Sequence, residues 1–325
     1  MKACIIGLGN IATVHATVLN ELGIEISEVC DVNQSVIKDF TDKYCKNAKV
    51  FLNYKECIKN TTADVIHITT PHYLHKEMTV FALNENKNVL CEKPLCISSA
   101  ELEEILEAEK NSKAKLGVCQ QNRFNVASTI LYEQLKGKKI KSASGTLNWY
   151  RGETYYTGSN WRGRKDKEGG SVMINQALHT LDLMQWVLGM PEECVAQTFN
   201  LMHKGVIDTE DTATAVFFGE NGFHFYASLN AKTDHPPFIN IVTESGDEYK
   251  MFGNELILNG NKVDTSCSVK SYGKSCYGSG HYKIVKRFYE CIQNGEQFEI
   301  SGNEAGKVVK LILAIYNSKG KKIKV

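Results

Sequence analysis

Ala3-Cys4-Ile5-Ile6, followed at once by Gly7-Leu8-Gly9-Asn10-Ile11-Ala12, is the stretch that decides the fold of this chain. A run of apolar residues this short reads as a strand buried on both faces. Beyond the glycines, Val14, Val18 and Leu22 recur at helical spacing, so the order is strand, glycine turn, helix. The spacing G-x-G-x-x-A gives each small residue a task. Gly7 permits the tight turn, Gly9 lets a pyrophosphate approach the backbone, Asn10 and Ile11 open the helix, and Ala12 allows the helix to pack closely on the sheet. Phosphate is then held by the helix N-terminus.

The next strand strengthens this reading. Ile24 to Cys30 ends in Asp31, about 20 residues beyond the glycines, where a carboxylate accepts hydrogen bonds from ribose hydroxyls. The same charge repels a 2′-phosphate and so favours NAD over NADP. The alternative for Asp31 is a turn cap, since Asp-x-Asn after a strand is also turn chemistry.

Working outward, the alternation continues through a helical stretch from Val36 to Tyr44, a strand at Val50-Phe51, a helix near Tyr54 to Ile58 and a strand from Asp64 to Ile68. This strand opens into Thr69-Thr70-Pro71-His72-Tyr73, whose small hydroxyl residues suit the nicotinamide side of a dinucleotide. His75 opens the next helix, either as a cofactor contact or as a cap. Val89-Leu90-Cys91 then ends in Glu92-Lys93-Pro94, an apolar strand emptying into an acid, a base and a proline. Open parallel sheets place ligands at this carboxyl edge. Lys93 is the candidate proton carrier, because desolvation disfavours an ammonium charge. Ser98-x-x-Glu101 has capping-box spacing ahead of a helix from Ser99 to Asn111, and Lys115 to Cys119 forms a sixth strand.

Past Gln121 the pattern changes. Ser142 to Tyr150 alternates with period two, and Asn221-Gly222, Ser245-Gly246 and Asn259-Gly260 are hairpin turns. One helix, about Ser171 to Leu188, interrupts the strands, stopping at Gly189 with Pro191 just beyond. On it Asn175 and His179 share a face, and Asp182 lies a turn further on. An imidazole beside an amide suits general acid–base work; the alternative is a hydrogen-bonded core histidine. Ahead of the helix a loop carries Trp149, Tyr150, Arg151, Tyr155, Tyr156, Trp161 and Arg162, aromatic faces for ring stacking with Arg162 suited to clamp phosphate or carboxylate. Two helices, about His281 to Asn294 and Asn303 to Ser318, close the chain. The fold class expected is α/β: an N-terminal doubly wound parallel sheet over 1–120, then an α/β domain with a large, mostly antiparallel sheet over 121–325.

Composition excludes several classes. With 42% hydrophobic and 23% charged residues in 325, the chain is globular, and 38 basic against 37 acidic residues leave no field for nucleic acid or an anionic membrane. The start lacks a signal-like segment and no 18-residue apolar run follows, so a cytoplasmic protein is expected. The 11 cysteines are scattered, without a Cys-x-x-Cys pair, and read as reduced thiols. His72, His75 and Cys91 lack zinc-ligand spacing, and no metal is expected.

Taken in order, Gly7 to Ala12, Glu92-Lys93-Pro94, Asn122-Arg123-Phe124, Trp161-Arg162-Gly163 and Gly169-Gly170 leading to Asn175-Gln176-Ala177-Leu178-His179-Thr180-Leu181-Asp182 resemble the Gfo/Idh/MocA family of oxidoreductases over nearly the whole chain. The resemblance implies a Rossmann domain and an α/β domain whose open sheet mediates dimers or tetramers. It implies hydride transfer between NAD and a hydroxyl or carbonyl carbon of a sugar, sugar derivative or cyclitol. Lys93 and His179 match the family's catalytic lysine and histidine. Asn122, Trp161, Arg162 and Tyr282 join the cofactor set, and Arg123, Tyr150, Asn175 and Gln176 join Lys93 and His179 toward substrate. Asn175 departs from the aspartate of several sugar and inositol dehydrogenases; an amide takes no proton at neutral pH, so proton transfer falls to Lys93 and His179. Two other readings stay open: a sensor that binds nucleotide or sugar without chemistry, and a lyase or epimerase using tightly held NAD transiently.

Overall fold

Three strands that carry apolar side chains toward both faces form the centre of a parallel sheet: β1 (Lys2–Ile6), β4 (Val65–Ile68) and β5 (Asn88–Cys91). The computed structural model describes residues 1–273 and 278–325. It divides the chain into two compact units, Met1–Gln121 with Val269–Gly306, and Asn122–Ser268 with Lys307–Val325.

In the first unit β1 is followed by α1 (Asn10–Glu21), β2 (Glu25–Cys30), α2 (Gln34–Tyr44), β3 (Lys49–Phe51) and α3 (Tyr54–Asn60). After β4 come α4 (His72–Asn84), β5, α5 (Ser99–Asn111) and β6 (Leu116–Val118). All neighbours pair in parallel in the order β3-β2-β1-β4-β5-β6. The order reverses between β1 and β4, which opens a crevice at their carboxyl ends. Register then aligns the ends of the strands. Ile6 lies opposite Cys30 and Ile68, and Ile68 opposite Cys91. The residues that follow, Asp31, Gly7, Thr69 and Glu92, therefore stand in one row along that edge. The helix starts behave as their sequences direct: Asn33 and Asn53 cap α2 and α3, and Ser98 accepts the Glu101 N–H at the start of α5.

The segment Val269–Gly306 joins this unit although the second unit precedes it in the chain. The Val118 N–H bonds to the Ile300 carbonyl at 3.0 Å. Gly117 makes room for the buried Phe288: a Cβ there would lie 2.6 Å from the ring.

The second unit holds α6 (Val126–Leu135), β7 (Ile140–Asn148), the short α7 (Glu153–Thr157), a π-helical turn (Val172–Ala177) running into α8 (Leu178–Leu188), β8 (Glu193–Phe199), β9 (Thr212–Phe218) and β10 (Phe223–Ser228). It continues through β11 (Phe238–Thr243), β12 (Glu248–Phe252), β13 (Glu255–Leu258) and β14 (Asn261–Lys262). Helix α9 (Gly280–Asn294) belongs to the first unit, α10 (Gly302–Ser318) runs from the first into the second, and β15 (Ile323–Lys324) closes the chain. Nine strands pair antiparallel except β7 with β10, in the order β14-β13-β12-β11-β7-β10-β9-β8-β15. The hairpins fall at the three Xaa-Gly signals, and Asn259 and Gly260 both take positive φ, +50° and +80°, as a two-residue hairpin turn requires. Helical spacing did not predict the π turn, nor helices α6 and α7. Among the described residues no helix is long and apolar enough to cross a membrane.

Gly117→Ala is predicted to destabilise the protein by about 1–3 kcal/mol, the usual effect of overpacking a rigid core contact, measured as a shift of the urea unfolding curve.

Candidate functional site

In the first unit the two glycines of the turn have different physical reasons. Gly7 has φ +87°, and a Cβ on it would stand 2.6 Å from Thr70 Cγ2. Thr69 holds the same turn by donating its hydroxyl to the Gly7 carbonyl at 2.5 Å. Gly9 faces open space, with nothing within 4 Å of a Cβ, and no side chain caps the helix it begins. The protein itself requires Gly7, while Gly9 leaves the start of α1, with Asn10 and Ile11, accessible to a pyrophosphate.

The turn reading of Asp31 holds. Its carboxylate accepts the Leu8 N–H at 2.8 Å and the Asn33 N–H at 2.9 Å, so it is a turn anchor. That anchoring also fixes it beside the glycine turn, and each oxygen keeps a lone pair for a hydroxyl donor. Pro71 precedes α4 as its cap residue. His75 is buried, with Nδ1 2.7 Å from the Pro94 carbonyl and Nε2 2.8 Å from the Thr70 carbonyl. Burial lowers its pKa, so at neutral pH a single N–H serves one of the two carbonyls. It ties the turn after Lys93 to the Thr69-Thr70-Pro71 loop.

Glu92 is buried, and its surroundings set its charge. One oxygen accepts from His15 Nε2 at 3.0 Å, the other from the Lys93 N–H at 3.2 Å, and His281 Nε2 lies 3.8 Å away. Burial alone would push the carboxyl up; the His15 hydrogen bond, with the nearby positive charge of Lys93, outweighs it and holds the pKa down at about 2. An ionised carboxylate only accepts, so His15 Nε2–H donates to Glu92; behind it His15 Nδ1 and His67 Nδ1 share a hydrogen bond at 2.8 Å, and His67 Nε2 and the Tyr289 hydroxyl share another at 2.9 Å. Burial drives the His67 pKa well down, consistent with a neutral ring. Cys119 Sγ lies 3.9 Å from His15 Nε2, and the His15, Glu92 and Cys119 donor atoms all lie within 4.8 Å of one another. Burial raises the Cys119 thiol pKa, and the His15–Glu92 pair is satisfied by its own hydrogen bond. Lys93 itself is half-buried at the end of this chain of groups. Tyr282, also half-buried, stacks on Tyr272 with centroids 5.8 Å apart.

In the second unit the π turn and α8 are buried nearly throughout, and Asn175 and His179 are half-exposed positions on them, four residues apart as helical spacing predicts. Asp182 faces inward and grips Arg123 with two bonds, Nε–Oδ2 at 2.8 Å and Nη2–Oδ1 at 2.6 Å, while Gln185 accepts a third at 3.2 Å. Arg123, expected toward substrate, therefore anchors the helix that carries His179. Asn122 has its Oδ1 buried without a partner among the described residues. Tyr150 is exposed, its N–H held by Asp234. The Arg162 guanidinium lies 4.3 Å from the Tyr155 ring centroid and 5.4 Å from that of Trp161.

Two groups that the sequence reading left in the surface loop prove central. Glu168 is fully buried; it accepts from Asn175 Nδ2 and from the Gly163 N–H, each at 2.5 Å. Burial pushes its carboxyl up to about 7. Tyr155 accepts from Asn175 Nδ2 at 3.2 Å and Gln176 Nε2 at 3.1 Å. Loop charge and glycine content gave no signal for Glu168, and Tyr155 was legible only as an aromatic face for stacking. His67 did have one: a histidine inside the apolar run Val65-Ile66-His67-Ile68 must find a partner.

His15→Ala removes the side-chain donor of a buried carboxylate and is predicted to cost about 3–5 kcal/mol of unfolding free energy, measured by denaturant titration at pH 7. Glu168 generates a pH dependence. Between its ordinary value of 4.5 and about 7 the folded protein keeps a proton that the unfolded chain releases, so its contribution to stability declines as pH rises through that window. Glu210, its pKa also raised by burial, acts in the same sense. Melting temperatures compared at pH 5 and pH 8 should diverge less in Glu168→Gln than in the parent.

Similar proteins can now be set beside this geometry. Residues 1–120 match the family model described as oxidoreductase family, NAD-binding Rossmann fold, and residues 138–247 match the GFO/IDH/MocA C-terminal domain. The inositol 2-dehydrogenase of Salmonella typhimurium is 28% identical over 251 residues, covering 76% of this chain and 72% of that protein. The trans-1,2-dihydrobenzene-1,2-diol dehydrogenase of Mus musculus is 24% identical over 307 residues, 90% and 88% of the two chains. In fold, the chain is similar to the WlbA dehydrogenase of Chromobacterium violaceum, solved with NADH and UDP-GlcNAcA, with a TM-score of 0.86 at 23% identity over 100% of this chain and 96% of that one. With both domain models matched in order along one polypeptide, the chain belongs to the GFO/IDH/MocA family of oxidoreductases and carries that family's NAD-binding Rossmann unit at its N-terminus.

Proposed function

We propose that this protein is an NAD-dependent dehydrogenase acting on a hydroxyl or carbonyl carbon of a sugar, sugar derivative or cyclitol, with Lys93 and His179 as its catalytic residues. The observation that carries the reading is the register-aligned row Asp31, Gly7, Thr69 and Glu92, which ends in the half-buried Lys93. NAD, when bound, supplies the acceptor or donor of hydride. The chain's own residues fit it. Gly7, Gly9, Asn10 and Ile11 offer the open start of α1 to the pyrophosphate, and Asp31 offers lone pairs to ribose hydroxyls. Thr69, Thr70 and Pro71 form the next strand mouth, which His75 braces. Asn122, Trp161, Arg162 and Tyr282 complete the cofactor set.

His179 or Lys93 takes the proton of the reacting hydroxyl in oxidation and returns it in reduction, and the Lys93 ammonium stabilises negative charge developing on that oxygen. Tyr150, Asn175 and Gln176 contact the rest of the substrate. Arg123 works by holding Asp182 and, through it, the helix under His179. The sugar and cyclitol class is supported by relatives such as the inositol 2-dehydrogenase and, at 28% identity over 59% of this chain, the D-glucoside 3-dehydrogenase of Escherichia coli. A cytoplasmic homodimer or homotetramer is part of the same reading, supported by reduced thiols at buried cysteines such as Cys4, Cys91 and Cys194 and by the exposed sheet residues Phe218, Tyr226 and Phe252.

Purified protein mixed with NAD or NADP and a panel of aldoses, cyclitols, deoxy sugars and UDP-sugars should reduce NAD with one class. Lys93→Ala should lower kcat by about 10²–10⁴-fold with NAD affinity retained; unaltered turnover removes Lys93 from the mechanism. Asp31→Ser should narrow the preference for NAD over NADP, read as the ratio of kcat/KM for the two cofactors.

A further inference from the structure

The strongest unassigned feature is the hydroxyl of Tyr155. A phenolic oxygen accepts hydrogen bonds through its lone pairs and donates one through its proton. Here the accepting side is occupied twice, by Asn175 Nδ2 at 3.2 Å and Gln176 Nε2 at 3.1 Å. Donors on both sides leave the O–H as the free function, and none of the described residues is placed to accept it at hydrogen-bond distance. The ring is held from several directions. Tyr156 meets it edge-on with centroids 5.1 Å apart, and Tyr156 is itself tied to Ser171 at 2.9 Å. The guanidiniums of Arg162 and Arg151 lie 4.3 and 5.5 Å from the ring centroid, a positive field that strengthens the phenol as a donor.

The Asn175 amide has two hydrogens, and each has a use. One goes to Tyr155 and the other to Glu168 Oε1 at 2.5 Å. A carboxylate accepts only, so Glu168 dictates which way the amide faces and thereby turns an N–H toward Tyr155. This also explains why position 175 is an amide. An aspartate there would set a second carboxylate against Glu168 and remove the donor that Tyr155 receives.

We infer that Tyr155 is a substrate-binding residue that donates its O–H to an oxygen of the polyhydroxylated substrate, with Glu168 as its positioning residue acting through Asn175. The inference rests on the proposed sugar or cyclitol site at Asn175 and Gln176 and adds a donor to it. It carries a pH dependence as well. Charged or titratable groups around Glu168 include Arg162, Glu210, Tyr155, Tyr156 and Tyr316. Burial, the largest influence, puts its titration near neutrality, at about 7. Above that value the ionised carboxylate holds the amide; below it, the protonated acid releases that constraint.

The test is calorimetric binding of D-glucose, myo-inositol and D-glucuronate, with 2-deoxy-D-glucose and deoxy-inositols as comparisons, to full-length protein saturated with NADH, so that no alcohol is turned over. Tyr155→Phe keeps the ring and removes only the hydroxyl. It should weaken the bound probe about tenfold, the effect of one lost hydrogen bond, with NADH affinity within about twofold of the parent. It should also abolish the parent's discrimination against one particular deoxy analogue, which a merely structural change would leave intact. Equal affinity in parent and variant, or discrimination that survives, overturns the inference and leaves the dehydrogenase reading standing. Tyr155-dependent binding without NAD reduction supports the inference and overturns the dehydrogenase reading. NADH binding with no affinity for any probe overturns both. If Tyr155→Phe does not fold, Glu168→Gln decides: the parent should bind several-fold more weakly at pH 6 than at pH 8, and the variant should lose that part of the change, whereas identical pH profiles sink the idea.

Discussion

A single buried negative charge, the Glu92 carboxylate, constrains the whole carboxyl edge of the parallel sheet. Removing an unpaired carboxylate from water is costly, and the chain meets that cost with donors drawn from distant stretches: His15 on α1 and the Lys93 backbone, with His281 on α9 close by. Because the carboxylate accepts only, it fixes His15 Nε2–H as a donor, and a line of hydrogen bonds runs back from His15 through His67 to Tyr289. The same packing brings α9 and the segment around it into the first unit after the chain has passed through the second. The turn that presents Lys93 therefore sits on a core that is polar and hydrogen-bonded through Glu92, His15, His67 and Tyr289.

The second unit uses a carboxylate differently. Glu168 is also buried, accepting from an amide and a backbone N–H, and burial prevails, lifting its pKa instead of lowering it. Glu92 is thus a fixed charge at neutral pH, whereas Glu168 titrates there. The ion pair of Arg123 with Asp182 does the static work in that unit, locking α8 from its buried side while Asn175 and His179 stay half-exposed. Where the helix changes from π to α, it sets Asn175 and Gln176 together on the Tyr155 hydroxyl.

Much of this architecture was legible in the amino-acid order. Apolar runs of strand length, the glycine spacing at Gly7 and Gly9, Asp31 at the end of the second strand and the Xaa-Gly hairpin turns are local signals, and local sterics decide them. The six strands of the parallel sheet and the mostly antiparallel second sheet follow from such signals. Lys93 and His179 were legible as candidates because each interrupts an apolar pattern. Glu168 was not, since a charged loop rich in glycine reads as solvated until its partners are known, and Tyr155 was legible as a stacking face but not as a hydroxyl donor. Arg123 was read toward substrate because nothing in Asn122-Arg123-Phe124 tells of an aspartate a whole domain segment later.

The sequence by itself determined the two-sheet α/β fold, the nucleotide turn and the residue types available for chemistry, because periodicity, turn sterics and capping act over a few neighbouring residues. Tertiary structure alone decided which carboxylates are buried, which protons they hold and which hydroxyl is left to donate. Those properties depend on desolvation and on donors brought from remote stretches, as Tyr289 is brought to His67 and Asn175 to Glu168. No local pattern encodes the dielectric that a side chain will meet once the chain has closed around it.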